Sequence, residues 1–409
     1  MVTDPDDVIA IPAITQESHE WVPVDGGLHS RSELRRQRGP YQSVIPATIA
    51  QWRPVLSAAI SADVEDATRA LVDFDTYSLR ILGAEDPTIG PMSAVLLRTE
   101  SASSSQIENL TTSARQLALA ELGQTDRPNA LTVVGNVRAM EAALRLSECI
   151  DESAILAMHR ELLSRQPGFQ RYAGTFRDQL VWIGRSNAGP RGADFIAPQP
   201  DRIAGSVRDL IALIARDDLP VLVQTAVAHA QFETVHPFVD GNGRTGRALA
   251  QALLRNKGLA SHTTVPISAG LLTDTANYFE ALTAYRGGDA GPIVRVFAQA
   301  SRFASVTGRR LVDGLAAQVA EARERLRGVR PQAAAWQVVP RLVGQPVVNT
   351  TYLVEELALT RVTATRALDL LTERGVLIER TGKRRNRVWQ HTGILDVLDA
   401  YARNIHRRI

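Results

Sequence analysis

Cysteine is nearly absent from this sequence: Cys149 stands alone among 409 residues. An internal disulfide framework is therefore excluded and a reducing compartment is expected, with Cys149 itself read as a core filler rather than a nucleophile. Lysine is almost as scarce, since Lys257 and Lys383 are the only two and the remaining cations are arginines. That bias is associated with GC-rich bacterial genomes. No apolar run approaches the roughly 20 residues of a membrane span. The opening residues, Met1 to Asp7, are acidic and lack the basic-then-apolar pattern of an export signal. A cytoplasmic location with no membrane partner is the expectation. An excess of one charge sign is missing too: 46 basic against 44 acidic residues leave a formal net charge of +2. Such a balance makes no whole-molecule case for nucleic acid or an anionic surface, although local charge still counts. With 44% hydrophobic and 22% charged residues, the composition is that of an ordinary globular chain of about two or three domains.

Chemistry-bearing residues are instead concentrated in one short run, His236-Pro237-Phe238-Val239-Asp240-Gly241-Asn242-Gly243-Arg244-Thr245-Gly246-Arg247. Leu222 to Val235 has helical apolar spacing, and Ala248 to Leu254 resumes it, so the run reads as a turn between two helices. A glycine-rich turn that opens a helix gathers unpaired backbone N–H groups and the positive end of the helix dipole, which favours phosphate. His236 is the one side chain in the run whose unperturbed pKa lies near neutrality, which makes it the candidate general base. Asp240 is a hard oxygen ligand beside the expected phosphate, suited to a magnesium ion. Gly241 and Gly243 permit close backbone approach, and Asn242 adds an amide donor, so the three resemble an anion nest. Arg244 and Arg247, three apart on one helix face, suit two different phosphates through forked hydrogen bonds. A polyphosphate fits better than a single phosphate. A zinc site pairing His229 with His236 is weak, because no cysteine or further histidine is near to complete a tetrahedral set.

Position for position, the run resembles the signature of the Fic family, His-x-Phe-x-(Asp/Glu)-Gly-Asn-Gly-Arg-x-x-Arg. The resemblance implies a helical enzyme that moves AMP from ATP onto a Ser, Thr or Tyr hydroxyl of a protein target, the chain itself included. It also implies roles: His236 as base, Asp240 on Mg²⁺, Gly241, Asn242, Gly243 and Arg244 on phosphates, and Arg247 on the γ-phosphate. Val181, Trp182 and Ile183, followed by a Gly/Pro/Asn-rich stretch and Asp194 to Ile196, read as a hairpin. It looks like the Fic flap, whose edge holds the target by strand addition. Tyr278 is assigned to the adenine side of the pocket on the same resemblance, against the core role that a Tyr at helical spacing among Leu and Ala more often has.

Upstream, Ser104 to Asn109 matches (Ser/Thr)-x-x-x-Glu-(Gly/Asn), the pattern of self-inhibited Fic proteins. This likeness implies that Glu108 pairs with Arg247 and occupies the guanidinium fork the γ-phosphate needs. Ser105-x-x-Glu108 is also a capping box that would start a helix.

The expected fold is mainly α: a Fic helical core with a β-hairpin flap, plus a small C-terminal winged helix-turn-helix domain. Its expected parts are an arm (1–40), a helical region (41–130) with the inhibitory helix at about 101–115, the Fic core (131–305), a linker or dimerisation helix (306–335), the winged unit (336–395) and a tail (396–409). In the winged unit, Thr363 and Arg366 would face a DNA major groove, and Arg384 and Arg385, on the wing, would meet phosphate. Protein docking is the competing reading of such a module. A DNA-binding regulator with a silent Fic core, or transfer of a different nucleotide, is the alternative function. A homodimer is the expected form of self-association.

Overall fold

The computed structural model describes residues 8–23, 29–82, 90–184, 186–380 and 387–406, and it is mainly α-helical with a few short strands. The chain divides into two compact units. One comprises Met1–Glu65, Ala142–Lys257 and Ala276–Ala298, and the other comprises Asp66–Glu141, Gly258–Thr275 and Gln299–Ile409.

In the first unit the helix Val221–Val235 is buried at every position from Leu222 to Val235. A helix buried on all sides is central to its unit, and its polar side chains must find partners there. It packs against Asn242–Asn256, which follows the short turn, and against Pro200–Ile214. Gly246 allows the close approach, because a Cβ there would stand 2.9 Å from the Phe232 ring. The helix Glu152–Leu163 packs against Asn242–Asn256 and touches Pro200–Ile214. Its start is fixed by Asp151, whose Oδ1 accepts the Ala154 N–H at 2.8 Å, a bond that holds the carboxyl below its usual range.

Described parts of the amino-terminal arm form regular structure. Thr15–Trp21 pairs antiparallel with Gly39–Ile45, from Thr15↔Ile45 to Trp21↔Gly39. Ile9 is fully buried, its N–H held by Asp289 Oδ1 and its carbonyl by the Ala290 N–H. The flap forms as expected, with Trp182 opposite Ile196 and Ile183 opposite Phe195. Cys149 is exposed in the turn after Pro128–Arg145, not a core filler.

In the second unit, Gly90–Ile107 packs against Ala335–Gly344 and Ile267–Leu271. The buried Glu100 accepts the Ser268 N–H at 2.9 Å and the Ser268 hydroxyl at 2.6 Å. Gly291–Arg325 is one continuous helix, so the expected break at 305/306 falls inside it. Thr350–Leu357 and Arg361–Glu373 follow, the latter capped by Thr360. A small antiparallel sheet places Trp389–Gln390 between Val347–Val348 and Ile378–Glu379. The helix Thr392–His406 absorbs most of the segment expected to be a tail.

Candidate active site

His236 ends the helix Val221–Val235 in a left-handed conformation, φ 48° and ψ 58°. A side chain with a Cβ adopts this region at a cost, so something must hold it there. Arg177 does so. Its guanidinium donates to the His236 carbonyl at 2.8 Å, to Gln179 O at 2.9 Å and to Pro198 O at 2.8 Å, while its own N–H donates to Pro237 O. Burial pushes Arg177 down to about 10, which leaves it charged at neutral pH.

The turn is closed by Asn242. Its Oδ1 accepts the Phe238 N–H and its Nδ2 donates to the Phe238 carbonyl, both at 2.9 Å. The side-chain amide expected to meet phosphate is therefore used to shape the turn, and the backbone carries the anion-binding potential instead. Gly241 precedes it at φ 77°, and a Cβ there would stand 2.6 Å from Leu162 Cδ2. The helix Asn242–Asn256 starts with no side-chain cap and no acidic residue in its first turn. Its leading N–H groups thus form an electropositive mouth for an anion. Arg244 and Arg247 are both nearly fully buried behind it.

Asp240 receives Arg244 Nη2 at 3.0 Å and Gln166 Nε2 at 3.3 Å, both on Oδ2. Its backbone is held by a residue that sequence reasoning missed, His159. The Gly174 N–H donates to Nδ1 at 3.1 Å, which forces the proton onto Nε2, and Nε2 donates to the Asp240 carbonyl at 3.0 Å. The same ring stacks on Phe238 with centroids 3.6 Å apart. Burial pushes His159 down to about 4, so it is neutral, as these bonds require. Among the described residues no group of three or more His, Cys, Asp or Glu converges. A metal here fits only as an ion held by the Asp240 carboxylate, with phosphate and water completing its shell.

His236 keeps some solvent exposure, yet the loss of hydration around its ring pushes it down to about 3. The Arg177 and Arg286 charges act in the same direction, opposed by the Glu233 carbonyl and the Asp240 charge. Arg286 lies 3.9 Å over the Phe195 ring of the flap, and Phe195 meets the His236 ring edge-on at 6.1 Å. At neutral pH the imidazole is unprotonated and able to accept a proton.

Other expected site residues fall elsewhere. Tyr278 is 1% exposed, and its hydroxyl meets His229 Nε2 at 2.7 Å, which makes it packed interior rather than an open pocket wall. His229, neutral and pushed down to about 3 by burial and then by the Arg247 charge, joins it in that layer. Of the three flap residues, Val181 packs inward against Val44, Phe195 and Ala197, and Trp182 lies edge-on to Trp21 at 5.5 Å. Ile183 is exposed. Ser104 and Glu108 belong to the second unit, with Ser104 buried on Gly90–Ile107 and Glu108 just past its end. The capping-box expectation is reversed there, since the helix ends at Ile107 instead of starting. The Ser105 hydroxyl donates back to Ser101 O, and no helix resumes until Ala114. Thr363 is half-buried beside Thr360, Arg366 is exposed, and Arg384 and Arg385 lie outside the described residues.

Fold and site together define a mainly helical protein whose chemistry-bearing residues lie on the turn between two packed helices. Residues 149–254 match the Fic/DOC family model, and residues 61–145 match the model described as Fic/DOC family N-terminal. These two stretches are thus similar to a Fic domain and to the region that precedes it. It is 28% identical over 196 residues to the protein adenylyltransferase fic-1 of Caenorhabditis elegans, covering 45% of this chain and 35% of that one. A probable protein adenylyltransferase of Aquifex aeolicus is 28% identical over 173 residues, covering 40% and 49% respectively. This chain thus spans half or less of the length of either relative. A solved Fic family protein from Desulfovibrio desulfuricans is 24% identical with a TM-score of 0.46, covering 79% of this chain and 96% of that one. No helix among the described residues is long and apolar enough to cross a membrane.

Proposed function

We propose that this chain is a protein adenylyltransferase that transfers AMP from Mg-ATP to a Ser, Thr or Tyr hydroxyl. The observation that carries the reading is His236, fixed by Arg177 at the entrance to an uncapped helix N-terminus. The target oxygen attacks the α-phosphorus, the bond to the departing pyrophosphate breaks in line, and His236 takes the hydroxyl proton. Asp240 is assigned to Mg²⁺, which would supply charge neutralisation between the phosphates. The N–H groups of the turn, with Arg244 and Arg247, are assigned to the triphosphate. His236→Ala is expected to abolish incorporation from α-labelled ATP while leaving ATP affinity within about threefold, a base being worth about 10² or more in rate. Surviving transfer would move the base elsewhere.

Glu108 is proposed to inhibit this reaction by competing for Arg247, on the strength of the Ser104 to Asn109 pattern. Glu108→Gly is expected to raise label incorporation at least several-fold, into the protein itself when no target is added. An unchanged level would remove the assignment.

The carboxyl-terminal arrangement of Ala335–Gly344, Thr350–Leu357, Arg361–Glu373 and the small sheet is read as a winged helix-turn-helix. The exposed Arg366 on its second helix favours a phosphate contact with DNA. Arg366→Ala is expected to flatten the salt dependence of duplex binding by the full chain. An unaltered slope would favour protein docking.

A further inference from the structure

The second unit holds a cavity of about 700 Å³ that the chemistry above does not use. That size falls within the range of small-molecule sites. Its apolar wall includes Val95 from Gly90–Ile107, Leu117 from Ala114–Glu121, and Leu398, Tyr401 and Ile405 from Thr392–His406. Neutral polar side chains such as Thr99, Gln116 and Asn129 also reach it, and its three charged groups differ in their commitments. Arg98 is spent on Glu121 at 2.7 Å and on the Gly344 carbonyl. Asp399 accepts the Ala114 N–H at 3.4 Å. The Arg127 guanidinium makes no hydrogen bond or ion pair among the described residues, and it is exposed. An apolar body with one anionic group matches this lining better than a sugar or a cation would.

The position of the cavity is as informative as its lining. Ser103 and Gln106 face it from the helix whose neighbouring residues, Ser104 and Glu108, form the inhibitory pattern. The last turn of that helix is closed by a pair of bonds, from Asn109 N–H to Gln106 O and from Leu110 N–H to Ser105 O. Gln106 therefore both lines the cavity and anchors the turn on which Glu108 stands. A ligand that moved Gln106 would shift the terminus that presents Glu108.

We propose that this cavity is a regulatory site for a small amphipathic carboxylate, with its hydrocarbon against the apolar wall and its head at Arg127. The regulatory half rests on the reading of Glu108 as inhibitory, whereas binding does not. A ligand changes an equilibrium only through unequal affinity for two states, and here those states differ in the seating of Gln106.

Calorimetric titration of the full chain with decanoate, and separately with decylamine, both below their micelle concentrations, tests the site. Saturable decanoate binding is expected, with decylamine at least tenfold weaker. Arg127→Glu is expected to weaken decanoate about tenfold, and Leu398→Trp, which fills the cavity, to abolish binding. If Leu398→Trp fails to fold, Arg127→Glu at its exposed position decides alone. Absence of saturable decanoate binding, equal binding of the amine, or unaltered binding by Arg127→Glu overturns the proposal. Transfer assays then read regulation: decanoate is expected to change the rate of the wild type at least twofold and that of Glu108→Gly not at all. Equal responses in the two forms, or no response in the wild type, overturn the regulatory half. Absence of transfer in both forms with decanoate binding intact counts against the adenylyltransferase reading and leaves the cavity assigned.

Discussion

His236 carries two properties that oppose one another unless the ligand is considered. Its left-handed backbone aims it and is held by Arg177, while burial and two neighbouring arginines keep its ring neutral. In the proposed reaction, a triphosphate entering the mouth would bring negative charge, offsetting the arginines and favouring the imidazolium that proton uptake would form. Because the free-enzyme pKa is lowered to about 3, the neutral, base-competent form persists as pH falls. kcat/KM for a Glu108→Gly form is therefore expected to drop less than twofold between pH 7.5 and 5.5. A histidine at about 6.5 would leave roughly a tenth of the activity at pH 5.5. The motif residues were legible because five kinds of chemistry crowd into one run. Arg177 and His159 were not, since they stand 59 residues before His236 and 81 before Asp240. A lone arginine before a hairpin and a lone histidine on an apolar helix carry no periodic signal, and only the folded turn reveals what they hold. Asn242 was assigned to the right place and the wrong work, because its side chain satisfies Phe238 rather than a ligand.

At the scale of the elements, the end of Gly90–Ile107 gives a physical reason for the Glu-(Gly/Asn) pair. Asn109 sits at φ 61°. The bonds from Asn109 and Leu110 to Gln106 and Ser105 form a Schellman closure with Glu108 at the cap. Glycine and asparagine tolerate that left-handed position, and β-branched residues do not. Asn109→Val is expected to lower stability by about 1–2 kcal/mol in urea denaturation, and Asn109→Gly to leave it within about 0.5 kcal/mol. The helical pair around the motif and the flap followed from period and turn chemistry. Thr15–Trp21 did not, because its residues alternate between exposed and half-buried positions without apolar alternation. Its register is set by the partner strand Gly39–Ile45, which the sequence pattern does not couple to it.

For the whole molecule, buried neutral histidines set the response to acid. His159 and His229 are fully buried, with pKa values lowered to about 4 and about 3. Below the unfolded value of about 6.5 the unfolded chain takes up protons that the folded chain refuses, so stability falls as pH falls. Between pH 6.5 and 5 each contributes a loss of about 2 kcal/mol. Urea midpoints measured at pH 7.5, 6.0 and 5.0 are expected to decline across this window, before carboxylates titrate. His159→Phe, which keeps a ring against Phe238, is expected to shallow the decline while lowering stability at pH 7.5. Domain limits were the least legible feature at this scale. Gly291–Arg325 runs through one expected boundary, and Thr392–His406 begins ahead of another. Helical spacing marks where a helix lies, and it carries no mark of where a compact unit ends.

Arg177 has a mechanical consequence. One planar fork is bolted to both feet of the flap, Gln179 and Pro198, and to the peptide group of His236. The hairpin and His236 therefore travel as one piece. A polypeptide that seats crookedly along the hairpin would tilt the imidazole with it, so a poor fit would be felt in turnover and not only in affinity.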